Sequence, residues 1–417
     1  MNEESMKKVE SDMEDDLRSE YDLKSLRVRR VGSQRANMAL KGMYNPEIIE
    51  DFQLAGISAK TVAPGETATI IQKMFISSLD ADFPMIATNL LSLILPIDPG
   101  ASLNSLLVII KPDNKGYIYR EFPLGMEVVA KRAIQAHRAV VKKDIADIIS
   151  VFFKDMIIDL NPEDGDRIIW LFRQNWNFGL FFDFSGTLKT EAALKEMGIY
   201  YRKLAYLSEY LFLENNSKFD AMLQEGWFPF VALIGEGIDE IRTYYEEGEK
   251  HPSIIQKLIS SFDESRLIDI TSRWWTNPLF NDKKKILQAG IKSYLNNEEE
   301  GYINAVKNLS TELEGIIRVS YNQDFQKNPR SIKELKEYIT NKGKDKFSSI
   351  GSLCFPDRFL DYLSNYIFRG FDVQAGQIPE SRHSVAHGVA ENGVYTQEFA
   401  LKLILTLDNI YFFLSNQ

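Results

Sequence analysis

Four histidines occur in 417 residues, and two of them, His383 and His387, stand four positions apart in Ser381-Arg382-His383-Ser384-Val385-Ala386-His387-Gly388. An arginine directly precedes the first. An imidazole takes and gives protons near neutral pH, and a guanidinium is always charged and grips phosphate in a planar fork. Together they supply what phosphodiester cleavage needs when no metal is used. Gly388 closes the cluster, and the last long apolar segment, from about Tyr395 to Leu414, follows it.

Other chemistry must be weighed against this. His383 and His387, four apart, would share a helix face, as in the His-Glu-x-x-His metal motif. The residues between them are Ser384, Val385 and Ala386, so the general-base glutamate of that motif is missing. A zinc site wants three or four protein ligands, and Cys354, the only cysteine, is a poor supplement. The plainest reading is a capped helix start with solvated charges. Arg382 and His387 are separated by about 500° of rotation on an ideal helix, so the two do not share a face.

A resemblance narrows the choice. Arg382-His383-x-x-x-His387 resembles the R-x4-6-H motif of HEPN domains, and a bacterial branch of that family carries N-R-H-x-x-x-H-G; here Ser381 replaces the Asn. A second block, Gly301-Tyr302-Ile303-Asn304-Ala305-Val306 leading to Glu312-Leu313-Glu314-Gly315-Ile316-Ile317, resembles a Tyr-led helix ending in Glu-Gly-Ile in the same branch. The likeness covers roughly the last 140 to 170 residues. It implies a metal-independent RNA endonuclease of bacterial defence or toxin systems, needing no cofactor, or else a non-catalytic module for RNA binding or dimerisation. It implies a homodimer in which two motifs face each other. In the expected reaction Arg382 stabilises phosphoryl charge and His387 does the acid/base work. His383 orients or binds phosphate. Glu314 is a supporting candidate: buried, it could orient an Arg or a His; otherwise it is an exposed helix-end carboxylate.

The bulk numbers bound what remains. The length suggests two or three domains. A net charge of −10 means that RNA contact must come from a local basic patch. A single cysteine excludes an intramolecular disulfide and fits a reducing compartment. The acidic start Met1-Asn2-Glu3-Glu4-Ser5 has no apolar core, so no signal peptide is expected. The most apolar run, Phe83 to Pro96, is too short to span a bilayer. The expectation is a cytoplasmic protein whose partners are RNA, a second copy of itself and an antitoxin-like or other regulatory protein, with no membrane.

The elements expected to position the motif form an α+β, mainly α chain. Residues 1–42 are acidic and then basic, with no apolar period, and read as a disordered tail. Residues 43–160 read as a small α+β domain. Its Leu106–Ile110 strand turns at Pro112-Asp113-Asn114-Lys115-Gly116 into Tyr117–Arg120, and helical spacing, or strand in part, runs from Met126 to Ile149. Asn161-Pro162-Glu163-Asp164 has the signature of a helix start, so 161–280 reads as a helical, aromatic-rich linking region. The aromatics of Trp170 to Phe184 read as core rather than as a base-stacking surface. Residues 281–417 read as a HEPN-like helical domain. Helical periodicity marks Glu191–Phe212, Ile254–Phe262, Lys283–Leu295, Glu298–Tyr321, Ile332–Thr340 and Arg358–Phe368. Gly343 is expected to end the fifth of these as a left-handed cap. Lys283-Lys284-Lys285 and Lys342, Lys344, Lys346 are candidate basic patches, or plain solvated helix ends. The Tyr395–Leu414 segment is apolar nearly all round, so it must be buried by its own domain, by a partner copy, or by both.

Overall fold

The computed structural model of the chain describes residues 44–94, 104–246, 251–347 and 351–415. The expected tail over residues 1–42 lies outside them. The chain is α+β and mainly α, with its sheet in the N-terminal part and helices in the C-terminal half.

Among the described residues the strands come first: β1 Glu47–Ile49, β2 Ile57–Ser58, β3 Ile70–Ile71, β4 Lys73–Ser77, β5 Leu106–Ile110, β6 Gly116–Tyr119, β7 Gly125–Ala130, β8 Ile145–Phe152, β9 Arg167–Gln174 and β10 Asn177–Asp183. Helix α1, Phe83–Ile94, lies between β4 and β5. The main sheet has the order β1-β6-β5-β9-β10-β4, and every neighbour is antiparallel. Strands β2/β3 and β7/β8 form separate two-stranded ribbons.

The main sheet is covered on both faces, which explains its sequence. Leu106, Val108, Ile169, Leu171, Leu180 and Phe182 point to one face, where α1 turns Ala87, Leu90, Leu91 and Ile94 inward at helical spacing. Leu107, Ile109, Ile168, Trp170, Phe172 and Phe181 point to the other. There they meet α2, Thr190–Ala205, through Met197, Tyr201 and Leu204. A strand buried on both faces reads as continuous hydrophobicity rather than alternation, and Leu106–Ile110 is buried at all five positions.

The sheet therefore continues to Asp183, and two expectations are corrected. Trp170–Phe184 is the β9/β10 hairpin and not a helical linking region; its aromatics are core, while Trp176 at the turn is exposed. The polar residues of Asn161–Asp166 close the loop that feeds β9. Asn161 Oδ1 accepts from Phe153 N at 2.7 Å, and Asp166 Oδ2 accepts from Glu163 N at 2.7 Å and from Lys111 Nζ at 2.9 Å. Asp164 does receive a helix N-terminus, but that of α2: it accepts from Thr190 N at 2.9 Å. That bond, with those from Lys189 and the Thr190 hydroxyl, holds its carboxyl down to about 2. Of the two readings of Met126–Ile149, strand in part holds and the helix does not: its two ends belong to the bulged β7/β8 ribbon.

The remaining helices are α3 Leu207–Leu213, α4 Asn216–Gln224, α5 Ile238–Glu246, α6 Pro252–Ser260, α7 Glu264–Ser272, α8 Pro278–Asp282, α9 Lys284–Leu295, α10 Glu299–Phe325, α11 Ile332–Lys346, α12 Pro356–Tyr362, α13 Arg382–Ala386 and α14 Gln397–Leu414. The single helix expected over Glu191–Phe212 breaks at Tyr206 into α2 and α3. The one expected over Arg358–Phe368 is α12 followed by a π turn, Leu363–Ile367. Gly343 caps nothing: α11 runs past it, and a Cβ there would lie 2.8 Å from the Phe413 ring. Its role is to let α11 approach α14 closely.

Helix α14 is buried from Phe399 through Phe413 by the rest of the chain. Between Phe399 and Phe413 its polar residues are buried as well, and each has a partner, though among the described residues Asn409 Nδ2 has none. Asp408 takes Arg273 Nη2 at 2.5 Å and Trp274 Nε1 at 2.9 Å, Asn409 Oδ1 accepts from Val231 N at 2.8 Å, and Lys402 Nζ reaches Glu398 at 2.7 Å. The apolar character of this helix thus needs no second copy to bury it. A further internal tie joins sheet to helices: Arg202 and Asp147 pair at 2.8 Å with both side chains fully buried, and Ser352 Oγ donates to the other Asp147 oxygen at 2.5 Å.

Pro46–Asp155 and Asp159–Gln417 make up one compact unit, with a hydrophobic core running from β5 to α14. A second unit, Met1–Asn45 with Met156–Ile158, lies almost wholly outside the described residues.

Candidate functional site

The Arg-His motif occupies α13, a helix of barely more than one turn. Its start follows from Ser381, which is fully buried and accepts from Ser384 N at 3.2 Å. A serine cap fills the place of the asparagine in the resembled motif, by the same physics. Its end follows from Gly388, whose φ of +71° lies in the left-handed region. His387 is the last residue before that reversal and is exposed. Expected on one helix face, the two histidines are still close, with ring centroids 6.2 Å apart.

Arg382 turns the other way, toward α10. Its Nη2 lies 2.7 Å from Glu314 Oε2, with the two side chains 17% and 11% exposed. Arg318, one turn along α10, meets the other oxygen of Glu314 at 2.5 Å. Glu314 is therefore a buried, mid-helix acid shared by two arginines, and not an exposed helix-end carboxylate. Among the described residues Arg382 Nε is buried without a hydrogen-bond partner, a state it shares with Arg266 Nε; buried arginines normally satisfy their donors.

The His383 ring is held by a hydrogen bond, and among the described residues the His387 ring makes none. Nδ1 of His383 lies 3.0 Å from the carbonyl oxygen of Phe368, and the Phe368 ring meets the imidazole edge-on at 5.9 Å. A carbonyl oxygen only accepts, so Nδ1 carries the proton and Nε2 is the basic nitrogen of the neutral ring. His387 has Phe371 beside it at 5.5 Å. The short segment from Phe368 to Phe371 thus walls both histidines, and Arg369 between them is exposed. The sequence reading put the acid/base role on His387 and orientation on His383; the geometry gives His383 the fixed ring.

The loop entering α13 is anchored from below. Tyr366 donates its hydroxyl to Glu380, and Thr396, the cap of α14, lies 3.4 Å from the same carboxylate. Burial pushes the Glu380 carboxyl up, with Lys402 opposing. Arg318, Glu380 and the Phe368 carbonyl were missed in sequence. Only Arg318 carried a signal there, the Glu-x-x-x-Arg spacing that places 314 and 318 on one helix face.

The alternatives can be placed too. Cys354 is buried against Ala146 and Ser352, packed into the Asp147–Arg202 cluster. Among the described residues no group of three or more His, Cys, Asp and Glu could hold a metal ion. Several of the candidate patch lysines are engaged locally: Lys283 with Glu312 at 3.0 Å, Lys342 with Asp324 at 2.7 Å, Lys344 with Asp357 at 2.8 Å. Lys346 donates to the carbonyls of Phe412 and Ser415. No helix among the described residues is long and apolar enough to cross a membrane. Compared with known proteins, the chain matches no family model, no curated protein and no solved structure.

Proposed function

We propose that the α10–α13–α14 region is a metal-independent RNA endonuclease site of HEPN type, working in a bacterial defence or toxin-like system. The observation that carries this is the joint placement of Arg382 on the buried Glu314 and of His383 on a backbone carbonyl. One fixes a phosphate-binding cation and the other fixes a ring tautomer. In the proposed reaction His383 Nε2 takes the proton of an RNA 2′-hydroxyl. The 2′-oxygen bonds to the adjacent phosphorus while Arg382 stabilises charge on the phosphoryl oxygens. The bond from phosphorus to the 5′-oxygen breaks, and a protonated imidazole returns a proton to that oxygen. The products are a 2′,3′-cyclic phosphate and a 5′-hydroxyl. The second imidazole is His387 of the same chain or a histidine from a facing copy. The two-fold dimer thus rests on the need for two proton-transfer groups, since the burial of α14 no longer argues for it.

One observation favours a second reading, a non-catalytic module that binds RNA or dimerises. Glu314 already neutralises Arg382, and a compensated guanidinium binds phosphate less strongly. Induced expression separates the two. Growth arrest and RNA decay caused by the natural sequence, and abolished in Arg382→Ala and in His383→Ala, support catalysis. Equal effects of all three proteins on RNA contradict it.

A further inference from the structure

The C-terminal end of α10 carries a feature that the histidine site does not use. Gln326, with φ of +52°, ends the helix, and the chain folds back into α11. Three rings meet in that corner. Tyr321 and Phe325 are 4.7 Å apart and inclined by 48°, Tyr321 and Tyr338 are 5.3 Å apart at 76°, and Phe325 and Tyr338 are 5.8 Å apart at 71°. Rings so inclined do not fill each other's faces. They open onto a cavity of about 420 Å³. The two tyrosines are buried, and Phe325 is 52% exposed at the mouth.

The rings are held by their hydroxyls. Tyr321 donates to Glu334, and Tyr338 donates to Asp324 at 2.8 Å. The lining holds four carboxylates, Asp324, Glu334, Glu337 and Asp345, against two ammonium groups, Lys327 and Lys342. Both ammonium groups already sit over rings: Lys327 at 5.6 Å from Phe325 and 5.9 Å from Tyr321, Lys342 at 5.8 Å from Tyr338. Lys342 is also paired with Asp324. Among the described residues Lys327 has no ion pair and Asp345 has none either. Ring faces are negative, and an organic cation is drawn to them within about 6 Å. The surrounding carboxylates repel RNA phosphates, so the corner is no extension of the histidine site.

We propose that this aromatic corner binds a guanidinium or alkylammonium head group, which displaces Lys327 from Phe325 and Tyr321 and draws Glu337 and Asp345 around its charge. A flat or alkylated cation suits the site because it sheds water more readily than a bare ammonium.

Saturation-transfer NMR and calorimetry on the full chain test this with N-acetyl-arginine amide, tetramethylammonium, the neutral N-acetyl-citrulline amide, and an arginine-containing decapeptide. Saturable binding of the arginine amide, competition by tetramethylammonium and no binding of the citrulline amide are expected. Phe325→Ala, at an exposed position, should weaken binding about tenfold, and Asp345→Asn should weaken it severalfold. Lys327→Ala should tighten it, because the internal competitor is gone; a purely structural corner would not respond this way. Tighter binding of the decapeptide than of the amide identifies a side chain of a partner protein as the source, and equal binding identifies a free small cation. No saturable binding to the natural sequence or to Lys327→Ala at about 10 mM ligand, or equal affinity in Phe325→Ala, overturns the proposal.

Discussion

Replacing Glu314 by Gln should destabilise the protein by a predictable amount. The substitution keeps shape and removes one charge, leaving Arg382 and Arg318 without their shared acid. The Arg382 side chain is 17% exposed and that of Arg318 41%. Removing one partner of a buried ion pair costs about 3–5 kcal/mol, and Arg382, not wholly buried, should fall at or just below the lower end. An exposed pair contributes about 0–1 kcal/mol, so Arg318 adds little. The expected loss is about 3 kcal/mol in total. With an unfolding entropy of about 2.1 cal/mol/K per residue over 417 residues, this lowers the melting temperature by about 3–4 °C. Differential scanning calorimetry measures it, with Arg318→Ala as the control expected to shift by about 1 °C or less. Glu314→Gln combined with Arg382→Met should recover part of the loss, because the stranded charge is then gone. If Glu314→Gln melts no lower than Arg318→Ala, the buried pairing of Arg382 is refuted.

The remaining predictions concern the buried charges and the histidines. Asp147→Ala strands the fully buried Arg202 and should cost about 3–5 kcal/mol in urea unfolding; a loss below about 1 kcal/mol would mean the pair is not buried. Lys131 is buried, and desolvation pulls its amine from 10.5 to about 7. Between those values the unfolded chain binds more protons than the folded one, so stability should rise with pH from about 7 toward 10.5, and Lys131→Met should flatten that rise. An unchanged slope in the variant would contradict the assignment. If His383 is the base, His383→Ala should lower the cleavage rate about 10²–10⁴-fold, and His387→Ala should lower it less unless His387 supplies the leaving-group proton. Equal rates in the natural sequence and His383→Ala would remove it from the reaction.

What could be read from the chain, and what could not, follows from how local each signal was. The β5/β6 hairpin was legible because a five-residue apolar run meets a Pro-Asp-Asn-Lys-Gly turn. The β9/β10 hairpin was not. Its aromatics are buried on both faces, which hides the two-residue period, and the residues before it imitate a helix cap. Asp164 in that stretch caps α2 through Thr190, a contact that no local window contains. The same distance hid Asp408, Lys402 and Asn409. Each interrupts the apolar pattern of α14 and each is paid for by a residue more than a hundred positions away or by a buried neighbour. At the site, Arg382, His383 and His387 were visible as residue types at a spacing. The carbonyl of Phe368 that orients His383 has no residue-type signature. The role of Glu314 depended on whether α10 and α13 lie side by side, which only the packing reveals.

The most direct test of the central claim is end-group analysis of RNA cut by the purified protein in EDTA. The proposal predicts fragments ending in 2′,3′-cyclic phosphate and beginning with 5′-hydroxyl, formed by the natural sequence and lost in both Arg382→Ala and His383→Ala. Cleavage that stops in EDTA and returns with magnesium or zinc, or that persists unchanged in both variants, would contradict it.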